Sequence, residues 1–423
     1  MRSIAIIGTG ISGMASAYLL HKAGNRITVY EKSARIGGHT RTLNIDYAGT
    51  PIAVDTGFIV YNEPNYPNLL GLFRHLGVAV QKSNMSFAIS VAGGKFEWSA
   101  RTLNSIFGQR SHLLSPTFYG MIRDVLRFNA RALETVTAHP ELTLGDLVAH
   151  LKLGKGFMDH YLLPMGGAIW SCAPETMLDF PAATFVQFFK NHGLLSLNGQ
   201  HQWYTVTGGS QAYVKKITTP FLDRIRTDCA VVSVTRHADG VTITDSTGKT
   251  ESYDQVVFAS HANETLDMLV DATEEERQIL GAFQYQKNVA YLHRDVAVMP
   301  RRRRCWASWV YHTNAPGDKS ERTHGIGVTY WMNLLQSIDH RYPLFVTLNP
   351  AQPIPEGLTF NRHVFEHPIF TRETLAAQEK LPGIQGKNHS WFCGAFTRYG
   401  FHEDGLLSAV NVASAMGAPI PWR

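Results

Sequence analysis

Four cysteines in 423 residues, Cys172, Cys229, Cys305 and Cys393, are too few and too scattered for a disulfide framework. No CxxC pair and no zinc-type spacing occurs among them, so reduced thiols, as in a cytosol, and no metal are expected. Also missing is any run of about 18 uncharged apolar residues, which leaves no candidate for a bilayer-spanning helix. An apolar strand pattern starts at Ile4, too early for the charged region, apolar core and cleavage site of a signal peptide. Internal repeats and low-complexity linkers are absent. The net charge of +5 is too modest for a nucleic-acid binder, and its densest point is the run Arg301, Arg302, Arg303 and Arg304. What is present is the 44% hydrophobic and 17% charged balance of a globular chain, long enough for two domains.

The segment SIAIIGTGISGMASAYLLHKAGNRITVYEKS reads as strand, turn, helix, strand. Residues 4–7 form a short apolar run. Gly8, Gly10 and Gly13 then fit GxGxxG, and 15–23 supply a helix that Gly24 can end. The glycines permit a tight turn, close approach of backbone to a pyrophosphate, and close helix–strand packing. The helix N-terminus, at Ser12, offers free N–H groups and partial positive charge. A second strand, 27–30, ends at Glu31, placed to accept hydrogen bonds from a ribose. This pattern predicts dinucleotide binding and leaves NAD and FAD open.

The continuation, GGHTRT at 37–42 and DTG at 55–57, resembles the flavin amine oxidase and phytoene desaturase superfamily. His39 stands where that family usually has arginine, with Arg41 two residues on. The resemblance implies an α/β fold with a discontinuous GR2-type Rossmann domain and non-covalent FAD. That domain would comprise 1–85, 205–265 and 385–423, with an α+β substrate domain from 86–204 and 266–384. It implies cofactor contacts from Lys32, Gly38, His39, Thr40, Gly57, Phe58 and Ile59. Further contacts would come from Val232, Gly394, Glu403, Asp404, Gly405 and Leu406.

Between these motifs, 229–260 alternates like antiparallel strands around a turn at Asp239-Gly240. The first insert is helical and aromatic; Tyr161, Trp170 and Phe188, with Phe185 and Phe189, suit either a core or a large apolar cavity. The second insert adds Trp309 and Tyr330 as candidate substrate contacts. Its arginine run is either a solvated loop or a patch for anionic lipid headgroups at the inner face of a membrane.

NVAYLHRD, MPRRRRCWASW, VTYWMNLLQ and YGFHEDG together resemble a bacterial amine-oxidase-like subgroup. Some of its members desaturate methyl-branched acyl chains of phospholipids in furan fatty acid biosynthesis. The resemblance therefore implies a cytoplasmic, peripheral FAD enzyme taking hydride from such a chain. Double-bond isomerisation, amine oxidation and non-catalytic lipid binding remain as alternatives. In HEDG, Asp404 reads as a helix-starting carboxylate. His402 takes the place of an aromatic-cage tyrosine, either as a base active near neutral pH or as a silent ring oriented by a nearby carboxylate. Tyr399 and Tyr291 are further candidates, Tyr291 falling near the position of the family's flavin-facing lysine.

Overall fold

The computed structural model describes residues 1–170, 177–195, 201–313 and 327–423; Cys172 lies outside them. The strand Ser3–Ile7 is buried, as its unbroken apolar run requires, and lies at the centre of a parallel sheet. From edge to edge that sheet runs Ile225–Arg226, Arg26–Tyr30, Ser3–Ile7, Gln255–Phe258 and Ser390–Phe392. The helix Ile11–Lys22 is buried from Ile11 through Leu20, because the sheet covers one side and the last helix, His402–Ala415, packs along another. A Cβ at Gly13 would stand 1.9 Å from the Gly8 carbonyl oxygen, so this crossing closes only over glycine.

The 229–260 segment divides where its alternation predicts uniform antiparallel pairing. Val231–His237, Gly240–Asp245 and Thr250–Tyr253 form an antiparallel meander, whereas Gln255–Phe258 pairs parallel to Ser3–Ile7. The reason is burial: Val256, Val257 and Phe258 form a continuous buried run, the pattern of a central parallel strand.

Both inserts contribute to one seven-stranded sheet. Its order is Thr359–Ile369, Gln284–His293, Phe345–Leu348, Gly327–Trp331, Trp309–Thr313, Phe87–Val91 and Phe96–Ser99. Only the Trp309–Thr313 and Phe87–Val91 pair is parallel among these neighbours. Helices of the first insert, Pro116–Ala138 and Ala182–Asn191 among them, bury Phe118, Phe128, Phe185 and Phe189 over Ile89 and Trp98. No helix among the described residues is long and apolar enough to cross a membrane.

Candidate functional site

One continuous cavity of ≈ 2250 Å³ begins at the glycine turn and runs between the two sheets into the helical insert. At its first end, the opening turn of Ile11–Lys22 has no side-chain cap, so its backbone N–H groups stay available. Glu31, at the end of Arg26–Tyr30, accepts from the Thr9 N–H at 3.0 Å and from the Ser33 N–H at 2.9 Å. Gly8, Gly10, Ser12, Glu31, Lys32 and Gly38 line this end. Gly38, at φ +55°, lies so close to Gly10 that a Cβ would meet its Cα at 2.9 Å. Arg35 holds the GGHT loop by donating to the carbonyls of Thr40 and Gly38, each at 2.8 Å.

His39 lines the cavity with Nε2 buried and unpartnered, a polar atom left for a ligand. Burial and the neighbouring His367, His261 and His402 hold its pKa well below the usual histidine value. It is therefore neutral, and the positive charge at this end comes from Lys32, Arg35 and Arg41. Val232 is turned outward at a bulge between Val231 and Ser233, and both valines line the cavity. The chain thus offers a ribose acceptor, free N–H groups and a backbone cradle that side chains would fill. That donor and acceptor set fits FAD.

Gly57, Phe58, Ile59, Gly394, Tyr399 and His402 line the middle of the cavity. The His402 ring stacks on Phe58, with centroids 4.0 Å apart and planes at 10°. Its Nε2 is 2.7 Å from the Tyr213 hydroxyl, which is 2.6 Å from Thr40 Oγ1. The partner of His402 is thus a phenol rather than a carboxylate. Burial pushes the imidazole pKa down to about 3, so it is neutral throughout the neutral range and does not titrate there. This corrects the expectation of an ionisation near pH 7.

The rest of HEDG faces away from the cavity. Glu403 accepts from the backbone N–H groups of Asn68 and Leu69, each at 2.9 Å, and so caps the helix Pro67–Leu76. Asp404 accepts from the Phe401 N–H at 2.9 Å and the Tyr399 N–H at 3.2 Å, closing the start of its own helix. Burial raises its pKa to about 6 against these bonds. Gly13, Thr40, Glu403, Asp404, Gly405 and Leu406 are all absent from the cavity wall. They form the layer behind it: Thr40 holds Tyr213, Gly405 takes the Ser12 hydroxyl on its carbonyl at 2.9 Å, and Leu406 is core. Asp55 of the DTG element is likewise structural, bonded to Ser210, Thr42 and Gln336.

Tyr291 does not line the cavity. Tyr285 and Lys287 of the same strand do, and four further residues at about 3.3 Å each carry Tyr291 past the end, where Arg362 covers its ring. Cys393 also stays out of the wall; it lies beside Ser16, with its thiol pushed up to about 12 by burial.

The far end is apolar. Tyr161, Trp170, Phe188, Trp309 and Tyr330 all line it and pack in one cluster with Trp98, Met165 and Phe87. Phe401 stacks on Phe188 at 5.0 Å, so the start of the last helix joins the chamber to the cradle. Every charged side chain among the described lining residues belongs to the cradle end, at 31–41, 264–267, 287 and 366, except Arg101 at the rim. Sequence reasoning missed Tyr213, Arg35 and the His261–His367 group; only the proximity of Tyr213 to the VTGGS turn hinted at a role.

The arginine run is not one uniform patch. Arg302 pairs at 2.9 Å with the fully buried Glu97, which also takes the backbone N–H groups of Arg301 and Arg302. Arg301, Arg303 and Arg304 remain exposed.

A model for flavin containing amine oxidoreductases matches residues 11–304. A Mycobacterium tuberculosis protein named "Putative flavin-containing monoamine oxidase AofH" is 24% identical over 260 residues. That match covers 59% of this chain and 55% of AofH, so the chain spans about half the length of this relative. Amine oxidase B of Homo sapiens is 34% identical over 87 residues, 19% of this chain and 15% of that protein. Among solved structures, a CLA-producing fatty acid isomerase from P. acnes superposes with a TM-score of 0.71 at 15% identity, covering 99% of both chains. A cofactor-binding redesign of putrescine oxidase gives 0.71 at 14%, covering 98% of both.

Proposed function

The chain belongs to the flavin-containing amine oxidoreductase family, and from that premise we propose that it is an FAD-dependent oxidoreductase that desaturates a methyl-branched, unsaturated acyl chain carried on a phospholipid, giving a diene. The observation that carries this reading is the uncharged aromatic chamber behind His402. An ammonium substrate would meet no carboxylate there among the described residues, whereas a hydrocarbon chain is matched in kind.

Bound FAD supplies a two-electron acceptor for hydride from carbon. The chain's own residues do the rest. Trp170, Phe188 and Trp309 exclude water and confine the acyl chain. In the tautomer whose Nε2–H donates to Tyr213, with Tyr213 donating on to Thr40, His402 keeps a free lone pair at Nδ1. A pKa of about 3 makes it a weak base. A weak base suffices, because a proton beside an electron-deficient carbon is strongly acidic. Tyr399, also on the wall, is the second candidate.

The test is anaerobic mixing of the FAD-loaded protein with a methyl-branched monounsaturated phospholipid. Loss of the oxidised flavin band and a product lighter by two hydrogens are expected. Reduction by an amine and by no acyl chain would sink the proposal. A second reading, double-bond isomerisation, is prompted by the fold shared with the fatty acid isomerase. It predicts a product of unchanged mass and no oxygen uptake in air.

A further inference from the structure

The mouth of the chamber is lined by Leu103 and Ile106 and by Ile122 and Leu126 of Pro116–Ala138, with the turn Arg110–Leu114 outside it on the neighbouring surface. This region carries an unusual concentration of uncovered apolar side chains. Leu103 is 79% exposed, Leu113 47%, Leu114 89%, Tyr119 48% and Leu126 47%. They are one surface: the Tyr119 hydroxyl donates to the Leu113 carbonyl at 3.2 Å, and its ring lies 6.1 Å from Phe107, next to Ile106. Tyr119, Ile122 and Leu126 recur at helical spacing on a single stripe. Leu103, Ile106, Ile122 and Leu126 also line the cavity, so the surface continues into the chamber.

The surroundings of this patch are cationic. Residues 100–133 contain Arg101, Arg110, Arg123, Arg127 and Arg131, and Asp124 as their single acid, which is buried. Gly108 packs against Cys305 and Arg304 so closely that a Cβ would stand 2.5 Å from the Cys305 sulfur. That contact brings exposed Arg303 and Arg304 to the same edge, while Arg302 stays bound to Glu97.

We propose that this face docks on an anionic lipid bilayer, with Leu113 and Leu114 entering the acyl region and the arginines meeting headgroup phosphates. Apolar groups at the centre and cations around them are the pattern of an interfacial anchor. A second copy of the chain fits poorly, because a twofold contact would set the arginine rim against itself. Docked in this way, the chamber mouth opens into the bilayer, and an acyl chain passes from lipid to cavity without crossing water. What is delivered rests on the acyl-chain reading above; the docking is measured without turnover.

The experiment is flotation of the FAD-loaded full chain with vesicles of phosphatidylcholine alone or mixed equally with phosphatidylglycerol. Binding to the anionic vesicles, weakened by salt, is expected. Leu113→Ser with Leu114→Ser should weaken it about tenfold or more. Arg110→Gln with Arg304→Gln should cost about fivefold per arginine at low salt. Retained flavin absorbance confirms that each variant is folded. Equal binding to both vesicle types, or unchanged binding by both double variants, would overturn the proposal. So would a native dimer that Leu113→Ser with Leu114→Ser dissociates in sedimentation velocity. Turnover of an acyl substrate dispersed in detergent should be the same in native and variant chains. A native chain that floats yet turns over no acyl chain would sink the substrate reading and support the docking.

Discussion

His402 sits between a phenylalanine ring and a phenol, and these two contacts separate its possible contributions. His402→Phe keeps the stack on Phe58 and removes both ring nitrogens. FAD content should stay near native, while the rate of flavin reduction falls about 10²–10⁴-fold, the usual share of acid–base catalysis. Native-like reduction would remove this residue from the mechanism. Because the imidazole titrates at about 3, the native rate should show no ionisation near 6.5 arising from His402. Tyr213→Phe leaves His402 in place but frees its tautomer, and should slow reduction about tenfold with binding little changed. The glycines and Glu31 were legible because a turn, a helix start and a strand end fix them within 31 residues. Tyr213 was not, since 189 residues separate it from His402 and only the fold brings them together.

Among the elements, the join between the last helix and Pro67–Leu76 combines apolar packing with the hydrogen bonds of one carboxylate. Glu403→Ala strips two backbone N–H groups and the Asn68 side chain of their acceptor in a buried place. It should cost about 1–3 kcal/mol, read as a lower urea midpoint with unchanged slope. Stability within a few tenths of native would refute the capping role. The first strand–helix–strand unit was readable to within a few residues, since each element carries its own periodicity. Partners of strands were not. Alternation in 229–260 marks extended chain, but says nothing of Gln255–Phe258 leaving the meander for the parallel sheet. The carboxylates of HEDG show the same limit, because their helix was legible and the direction each side chain faces was not.

For the molecule as a whole, buried neutral histidines set the response to acid. His112, His293 and His312, all away from the cavity, are held at about 4 by burial, below the usual histidine value of 6.5. The unfolded chain takes up their protons first, so the stability they contribute is complete above 6.5 and is lost as pH falls towards 4. Asp55 and Asp404, raised to about 6 from 3.8, act in the opposite sense, gaining stability as pH falls through 6. Glu403, also raised by burial, makes three such carboxylates, and the buried, lowered His192 and His367 make five histidines against them, which leaves a net loss. The urea midpoint should therefore be highest above about pH 7 and decline between 6.5 and 4. A midpoint that is flat or rises over that window would show that these rings are charged in the folded protein.

The order of strands in the parallel sheet also has a consequence for synthesis. Ser3–Ile7 is made about 250 residues before its second neighbour, Gln255–Phe258, and the far edge strand is Ser390–Phe392. At about 5–20 residues per second, the first strand waits roughly 10–50 seconds for that neighbour. During that interval Ile4, Ile6 and Ile7 present an open, apolar edge to every other nascent chain nearby. The nucleotide cradle exists only after the helix His402–Ala415 has closed over the glycine turn, so the cofactor cannot steady the nascent chain during that wait.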